Sequence, residues 1–325
     1  MNIIFFGSAK FGYSVLKALI EADYKIPLVV TQPDKQKGRG LKLGSTQIKD
    51  LAQQSGLKVF QPEDINSSDS LKLLKSFKPD LFVIIAYGQK FSREFLDIPK
   101  IMPVNVHASL LPKYRGAAPI NWVIINGEEK TGNTIMKVVP RMDAGPIILQ
   151  SRVSIEDSDD SVSLEEKLSL DAQVLLLDAV KAIEFDSFSL VEQEESQMSL
   201  APKLSGKIAQ INWNEPAAKI HNLVRGCVSW STAFTKYKDK ILKIYKTQIE
   251  TEVNPVRELR FSNRVNQGSE AVPGEILAVS EKGIILATKK GAIILKELQL
   301  EGKKRLDVRE FLSGNKILPG ERLGK

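Results

Sequence analysis

Asn105 and His107 stand two positions apart at the end of an apolar run, residues 101–106. Such a run is typical of a buried strand, in which residues i and i+2 project to the same face. Two polar donors roughly 6 to 7 Å apart at a strand end can both reach one oxygen lying between them. The pair therefore predicts a site that polarises a carbonyl group and stabilises the charge developing on its oxygen.

Asp143 lies further along, in a Met-Asp-Ala-Gly sequence that is typical of a turn. It is the candidate carboxylate for holding the imidazole of His107 in one tautomer. A histidine beside an asparagine at a strand end is also a common structural arrangement, in which both side chains only satisfy loop hydrogen bonds. Both interpretations stay open on these residues alone.

The surrounding segments resemble the folate-dependent formyltransferases. That family carries an Asn-x-His strand end, a Ser-Leu-Leu-Pro-x-Tyr/Phe-x-Gly loop and a downstream Asp, which Asn105, His107, residues 109–116 and Asp143 match. The resemblance to family members that act on tRNA covers nearly the whole chain. It rests further on residues 31–34 with 38–40, 115–120, 201–204 and 301–305.

This resemblance implies an enzyme of translation initiation, a transferase that takes a formyl group from 10-formyltetrahydrofolate, without a metal. The acceptor that the resemblance implies is the α-amino group of initiator methionyl-tRNA. We expect Asn105 and His107 to donate hydrogen bonds to the negative oxygen of the tetrahedral intermediate. Asp143 would favour the charged or correctly tautomeric His107 and accept the ammonium proton through a water.

The folate site is implied to be lined by the loop after His107 and by a segment after an earlier strand: Ser109, Leu110, Leu111, Pro112, Tyr87 and Gly88. Apolar walls with few polar contacts suit a flat pteridine. Leucines in a loop can also be plain hydrophobic anchors. Two departures from the family, at residues 89–92 and 227–231, affect the pterin wall and the domain junction respectively.

Residues 34–45 combine glycines with four cationic side chains, Lys35, Lys37, Arg39 and Lys42. Charge with glycine flexibility suits a segment that orders around a phosphate backbone. An ordinary exposed loop has the same composition. The family resemblance implies that the loop wedges into the acceptor end of the tRNA, with Arg39 as the key residue.

Charge is distributed unevenly along the 325 residues. Residues 201–325 hold 23 basic and 13 acidic side chains, a net charge of +10, whereas residues 1–200 have a net charge of −3. A surplus confined to one part of a chain is typical of a polyanion-binding domain, although a solvated basic surface gives the same count. Lys303, Lys304 and Arg305 are the candidate RNA contacts, or else they solvate a turn.

Two histidines and one cysteine leave no set of residues for a His-based or Cys-based metal site and no intrachain disulfide. No apolar run approaches the ~20 residues of a membrane span, and the chain shows no charged, cleavable leader. These features predict a cytoplasmic protein without a membrane partner, and we expect a monomer. His221 and the three tryptophans are expected to be structural.

Alternating apolar strands and amphipathic helices predict a Rossmann-like α/β fold, a mostly parallel sheet covered by helices. Such sheets bind ligands beyond the carboxyl ends of their strands, where Asn105 and His107 fall. Short β-prone runs in the last third predict a small OB-like β-barrel. The predicted organisation is a catalytic domain at residues 1–190, a linker at 191–207 and a tRNA-binding domain at 208–325.

Gly7 and Gly12 follow the first strand and invite a dinucleotide-binding interpretation. The match is weak, because Ala9 replaces the middle glycine and the second strand ends without an acidic residue for a ribose. Tight-turn geometry explains these glycines better.

Three classes of acceptor are compatible with this chemistry: a charged tRNA, glycinamide ribonucleotide and an amino-sugar nucleotide. Glycinamide ribonucleotide enzymes are usually one domain of about 200 residues, which would leave the last third of the chain unexplained. An amino-sugar nucleotide is the closest rival acceptor. A non-catalytic RNA-binding protein built on a degenerate enzyme is the rival from another class, and the intact Asn105, His107 and Asp143 argue against it.

Overall fold

The computed structural model describes residues 1–37, 42–250 and 271–324, with the backbone alone at 36, 37, 42 and 43. In the first half the elements are β1 (Asn2–Gly7), α1 (Gly12–Glu21), β2 (Lys25–Val30), β3 (Lys35–Lys37), β4 (Lys42–Gly44), α2 (Gln47–Gln54), β5 (Val59–Phe60), α3 (Ser68–Ser76), β6 (Leu81–Ile85), α4 (Arg93–Leu96), β7 (Met102–His107), α5 (Pro119–Ile125), β8 (Lys130–Lys137) and β9 (Ile147–Ser154). In the second half they are α6 (Ser161–Glu184), a 3-10 turn (Glu195–Gln197), α7 (Ala217–Cys227), β10 (Phe234–Tyr237), β11 (Lys240–Ile249), β12 (Ile276–Ser280), β13 (Gly283–Ala287), β14 (Ala292–Leu300), β15 (Leu306–Asp307) and α8 (Val308–Gly314).

Strands β1, β2 and β5 to β9 form one sheet in the order β5-β2-β1-β6-β7-β8-β9. Its first five strands are parallel, and β8 and β9 add two antiparallel neighbours after β7. The order reverses between β1 and β6, which puts the carboxyl ends of β6 and β7 beside a topological switch point. The predicted mostly parallel, Rossmann-like sheet is confirmed.

The apolar runs that predicted the central strands form the core of this sheet. β1, β6 and β7 are buried almost throughout, because helices cover the parallel strands on both faces. On one face Ile4 and Phe6 pack with Leu71 of α3 and Phe95 of α4. Each such side chain contributes about 1.5–3 kcal/mol by leaving water, so the strand ends that carry the polar residues are held on a rigid base.

Strands β10 to β14 form a second, antiparallel sheet in the order β10-β11-β14-β13-β12, with β15 paired to β14. Inward-facing residues of these strands and of α7 and α8 share one core, which includes Ile220, Leu242, Leu295 and Phe311. This small antiparallel β unit confirms the fold predicted for the last third. His221 of α7 hydrogen-bonds the Thr247 hydroxyl of β11 at 2.8 Å.

The chain divides into two compact units. The first comprises Met1–Pro119, Glu129–Ile155 and Ser163–Pro202, and the second comprises Ile120–Glu128, Glu156–Val162 and Lys203–Lys325. Residues 191–202 thus lie with the first unit, and the predicted boundaries at 190 and 207 stay predictions. No helix in the part of the chain that the structure describes is long and apolar enough to span a membrane.

Thr46 caps α2, because its hydroxyl accepts from the Lys49 amide at 3.1 Å, and the neighbouring Ser45 donates to Asp50. One local prediction is wrong in detail. The basic segment after β2 was expected as a loop, but residues on its two sides pair as an antiparallel ladder, with Lys35 opposite Gly44. Lysine is a weak strand former, which is why residue types alone did not indicate a strand there.

Candidate active site

Asn105 and His107 lie at the carboxyl end of β7, with β6 on one side and β8 on the other. Asn105 is opposite Ile84 of β6 and Met136 of β8, and His107 is opposite Thr134. Strand alternation puts both side chains on the same face. The predicted neighbourhood of the two residues therefore exists in the structure.

His107 is almost fully buried, and both ring nitrogens face protein groups. Nε2 lies 2.9 Å from the carbonyl oxygen of Tyr114, which can only accept, so Nε2 carries a proton. Nδ1 lies 3.8 Å from Oδ2 of Asp143, with side-chain exposures of 7% and 15%. That separation is too long for a hydrogen bond. The Tyr114 carbonyl, and not Asp143 as expected, fixes the ring nitrogen that holds the proton.

Asp143 occupies a turn in which its backbone adopts a positive φ of 51°. Its Oδ2 accepts a hydrogen bond of 2.9 Å from the amide of Gly116. Gly116 has a φ of +129°, and a Cβ there would lie 2.6 Å from the carbonyl oxygen of Ala201. Only glycine fits this position without strain, so the glycine of the sequence motif presents a backbone donor to the carboxylate.

The side chain of Asn105 differs from its neighbours because it is half-buried and makes no hydrogen bond to the residues that the structure describes. An amide has two donors and one acceptor oxygen. At the carboxyl end of a sheet strand, such a group is available to a ligand. Asn105 is thus the open donor of the site.

Thr134 of β8 holds the loop after His107 through two hydrogen bonds to its backbone. Its hydroxyl donates to the Ser109 carbonyl at 2.6 Å and accepts from the Leu111 amide at 3.2 Å. Gln150 of β9 donates to the Leu111 carbonyl at 2.9 Å. The Leu111–Pro112 peptide bond is cis. Thr134 and Gln150 were not predicted as site residues.

The six residues expected to line a folate site divide into two groups. Tyr87, Ser109 and Leu111 are buried, and the ring of Tyr87 stacks with Phe91 at a centroid distance of 6.0 Å. Burial raises the pKa of the Tyr87 phenol. Their part in the folate site stays a prediction, because buried side chains offer little surface to a ligand. Leu110 and Pro112 are half-buried and Gly88 is exposed, so these three can contact one.

Arg115 and Gln193 are further residues of the site that sequence reasoning missed. The guanidinium of Arg115 is buried at 3% exposure and donates to Oε1 of Gln193. Glu195 accepts from Arg115 and from the exposed Arg141, and the Arg115 hydrogen bond holds the pKa of Glu195 below its usual value. A lone arginine between Tyr114 and Gly116 was a usable signal for the first member, but the polar segment around Gln193 offered none.

The predicted RNA contacts are only partly described. Arg39 lies outside the described residues, and so do the side chains of Lys37 and Lys42 on β3 and β4. Lys303 and Lys304 are exposed. Arg305 is exposed too, but it forms a forked ion pair with Glu297 and stacks over the Tyr245 ring at 4.2 Å. Its charge is therefore already partly satisfied within the protein.

The arrangement can polarise a carbonyl. An open amide beside a fixed imidazole and a carboxylate suits transfer of an acyl or formyl group to an amine, in which negative charge grows on the carbonyl oxygen. No residue there is arranged as an activated serine or cysteine nucleophile among the described positions. Among these positions, too, no three His, Cys, Asp or Glu side chains are grouped as a metal ion requires.

The candidate site lies on a fold that formyl-transferring enzymes share, and the chain belongs to the formyl transferase family. Residues 1–180 match the formyl transferase domain, and residues 203–316 match the formyl transferase C-terminal domain. The match leaves residues 181–202 between the two domain families.

Two relatives and one solved structure show which members of the family the chain is similar to. The chain is 38% identical to the methionyl-tRNA formyltransferase of Clostridium novyi over 318 residues, which is 98% of either chain. It is 42% identical to the methionyl-tRNA formyltransferase of Thermodesulfovibrio yellowstonii, covering 98% of this chain and 97% of the relative. The fold is similar to that of WlaRD, a sugar 3N-formyl transferase solved in the presence of dTDP and 5-N-formyl-THF, with a TM-score of 0.65 and 18% identity over 94% and 99% of the two chains.

Proposed function

We propose that the chain transfers the formyl group of 10-formyltetrahydrofolate to the α-amino group of methionine on initiator tRNA. The observation that supports this most is the extent of the similarity to methionyl-tRNA formyltransferases, which covers both units at 38–42% identity. The sugar 3N-formyl transferase shares the fold over 94% of this chain, but at only 18% identity, so the sequence identity supports the tRNA acceptor and the fold alone does not. Residues 201–325, which supply most of the second unit, carry the basic surplus that suits RNA.

In this reaction the neutral amine attacks the formyl carbon, the new C–N bond forms, and the bond from that carbon to N10 of the folate breaks. Asn105 donates to the formyl oxygen as it becomes negative, through the amide that has no partner in the described structure. The attacking nitrogen loses one proton, and N10 of the leaving folate gains one. Asp143, 3.8 Å from His107, is placed to receive the proton, directly or through a water.

The residues present fit a folate donor. Leu110 and Pro112 offer half-buried apolar surface, and Gly88 offers exposed backbone after β6. A Cβ at Gly88 would come within 2.6 Å of the side chain of Gln32, which donates to the Tyr87 carbonyl at 2.8 Å. The absence of a side chain there lets the segment stay flat against a bound ring system.

One experiment separates the acceptors. Purified protein is given 10-formyltetrahydrofolate with charged initiator tRNA, with an amino-sugar nucleotide, or with glycinamide ribonucleotide, and loss of the formyl donor is followed. We expect turnover with the tRNA alone. Turnover with the sugar nucleotide alone would identify the chain as a sugar formyltransferase, and a lack of turnover with all three would favour a binding protein. Action as a monomer in the cytoplasm stays a prediction.

A further inference from the structure

Residues 191–201, here called the return segment, follow α6 and run back along the first unit. Val191 forms two backbone hydrogen bonds with Ile147, of 2.8 and 2.9 Å. At the other end, Ala201 donates to the Arg115 carbonyl at 2.7 Å. The return segment therefore contacts β9 and the loop that follows His107.

Gln193 is the buried polar side chain among the residues of the return segment, at 8% exposure. Its Nε2 donates to the carbonyl oxygens of Asp143 and Gly145, at 2.9 and 2.7 Å. Its Oε1 accepts from Nε and Nη2 of Arg115, at 3.0 and 2.8 Å. One amide thus ties the turn that carries Asp143 to a buried guanidinium.

This connection is fixed at both ends. Arg115 cannot move into water without leaving the core, and a buried guanidinium must keep its partners. Asp143 needs its turn held because its backbone has a positive φ, which costs free energy in a residue other than glycine. Loss of the Gln193 amide would release the turn without removing any group that touches substrate.

Ser199, six residues further along, holds the other side of the site. Its hydroxyl accepts from the Tyr114 amide at 2.9 Å, and its carbonyl accepts from the Arg115 amide at 2.9 Å. Tyr114 has a positive φ of 63°, and its carbonyl accepts the hydrogen bond from His107. The return segment therefore orients the partners of both His107 and Asp143.

We propose that Gln193 is a positioning residue for the formyl transfer, which sets the distance between the Asp143 carboxylate and His107. This inference rests on the proposed function. Gln193 does not line the open side of the site, so its loss should leave substrate binding nearly intact. A displacement of a reacting group by about 1 Å can cost 10²-fold in rate, which is the scale of the expected effect.

Two variants separate positioning from folding. Gln193→Ala removes the four hydrogen bonds to Arg115, Asp143 and Gly145. Gln193→Glu keeps an acceptor for Arg115, but it turns a negative oxygen towards the carbonyls of Asp143 and Gly145. The matched control is Gln197→Ala, which removes an exposed glutamine from the same segment. For each variant, kcat, both KM values and the pH dependence of kcat are measured below its own melting temperature, and kcat is normalised to the folded fraction.

We expect kcat to fall by at least about tenfold in both Gln193 variants, with KM for the formyl donor and the tRNA within about twofold and an altered pH profile. Gln197→Ala should match the unchanged protein. The inference would be overturned if kcat/KM fell only because KM rose. It would also be overturned if kcat stayed within about twofold of the unchanged protein.

Asn105→Asp serves as the reference for the proposed function. If it loses turnover while both Gln193 variants keep it, only the positioning role of Gln193 is wrong. If Asn105→Asp also keeps full turnover, the assignment of the site itself is wrong.

Discussion

His107 donates a hydrogen bond of 2.9 Å from Nε2 to the carbonyl oxygen of Tyr114, seven residues further along the chain. The imidazole therefore closes the loop that contains Leu110 and Pro112, in addition to facing Asp143 through its other nitrogen. The side chain of Asn105 makes no comparable hydrogen bond to the described residues. The two residues that the sequence pairs by spacing thus differ in what their loss should do to the fold.

Replacing these residues should separate chemistry from stability. His107→Ala removes the hydrogen bond that the buried Tyr114 carbonyl accepts, which should lower the free energy of unfolding by about 1–3 kcal/mol. Asn105→Asp should leave it nearly unchanged. Asn105→Asp should lower kcat by about 10²–10³ with a smaller effect on KM, since a donor to the developing oxyanion is lost. His107→Ala should also lower kcat, because the imidazole that faces Asp143 and holds the loop is lost. Urea unfolding and steady-state kinetics measure the two effects, and near-full turnover in Asn105→Asp would contradict the proposed role.

Gly116→Ala tests the backbone donor to Asp143. A Cβ at this position would approach the Ala201 carbonyl to 2.6 Å, and the φ of +129° is unfavourable for alanine. We expect a loss of about 1–3 kcal/mol of stability together with lower kcat. Gly206→Ala is the matched control, because nothing lies within 4 Å of a Cβ there. Equal stability of the two variants would show that the Gly116 backbone can relax.

His221 predicts a pH dependence of stability. Burial and the neighbouring Arg225 lower its pKa from 6.5 to about 4, and Asp157 opposes this only in part. Since the unfolded chain binds the proton more readily, stability is retained above pH 6.5 and decreases as the pH falls towards 4. In His221→Gln this decrease should be absent, so the free energy of unfolding should depend less on pH between 6.5 and 4. Chemical unfolding from about pH 4 to about pH 7.5 measures it, and parallel curves would argue against the lowered pKa.

Arg39→Ala tests the tRNA contact that the sequence predicts. A lost phosphate contact should raise KM for the charged tRNA and reduce the slope of log affinity against log salt by about 1. The kinetics with a small amine acceptor should not change. Arg93→Ala is the control, since Arg93 is an exposed arginine of α4 that pairs with Asp97. Unchanged tRNA kinetics in Arg39→Ala would remove Arg39 from the interface.

The sequence predicted the parts of the structure that side-chain patterns encode. Apolar runs located β1, β6 and β7, because strands buried on both faces need continuous apolar residues. The two-residue spacing predicted that Asn105 and His107 lie on one face of a strand. The Met-Asp-Ala-Gly sequence made Asp143, in a turn, the candidate partner of His107.

The contacts that the sequence did not reveal run through backbone atoms. The Tyr114 carbonyl and the Gly116 amide have no side-chain signature, so nothing in the residue types identified them as partners of His107 and Asp143. Gln193 lies in a polar segment that was predicted as part of a linker. Its role depends on which carbonyls it meets, and this is set by the tertiary fold alone.

The position of the return segment bears on where this protein can be cut. A fragment stopped at residue 190 would retain every strand of the larger sheet, yet it would lack the glutamine that shields the Arg115 charge and the backbone that borders Gly116. In such a fragment we expect the loop after His107 and the turn that carries Asp143 to be held less firmly. An expression boundary placed after Pro202 preserves these contacts.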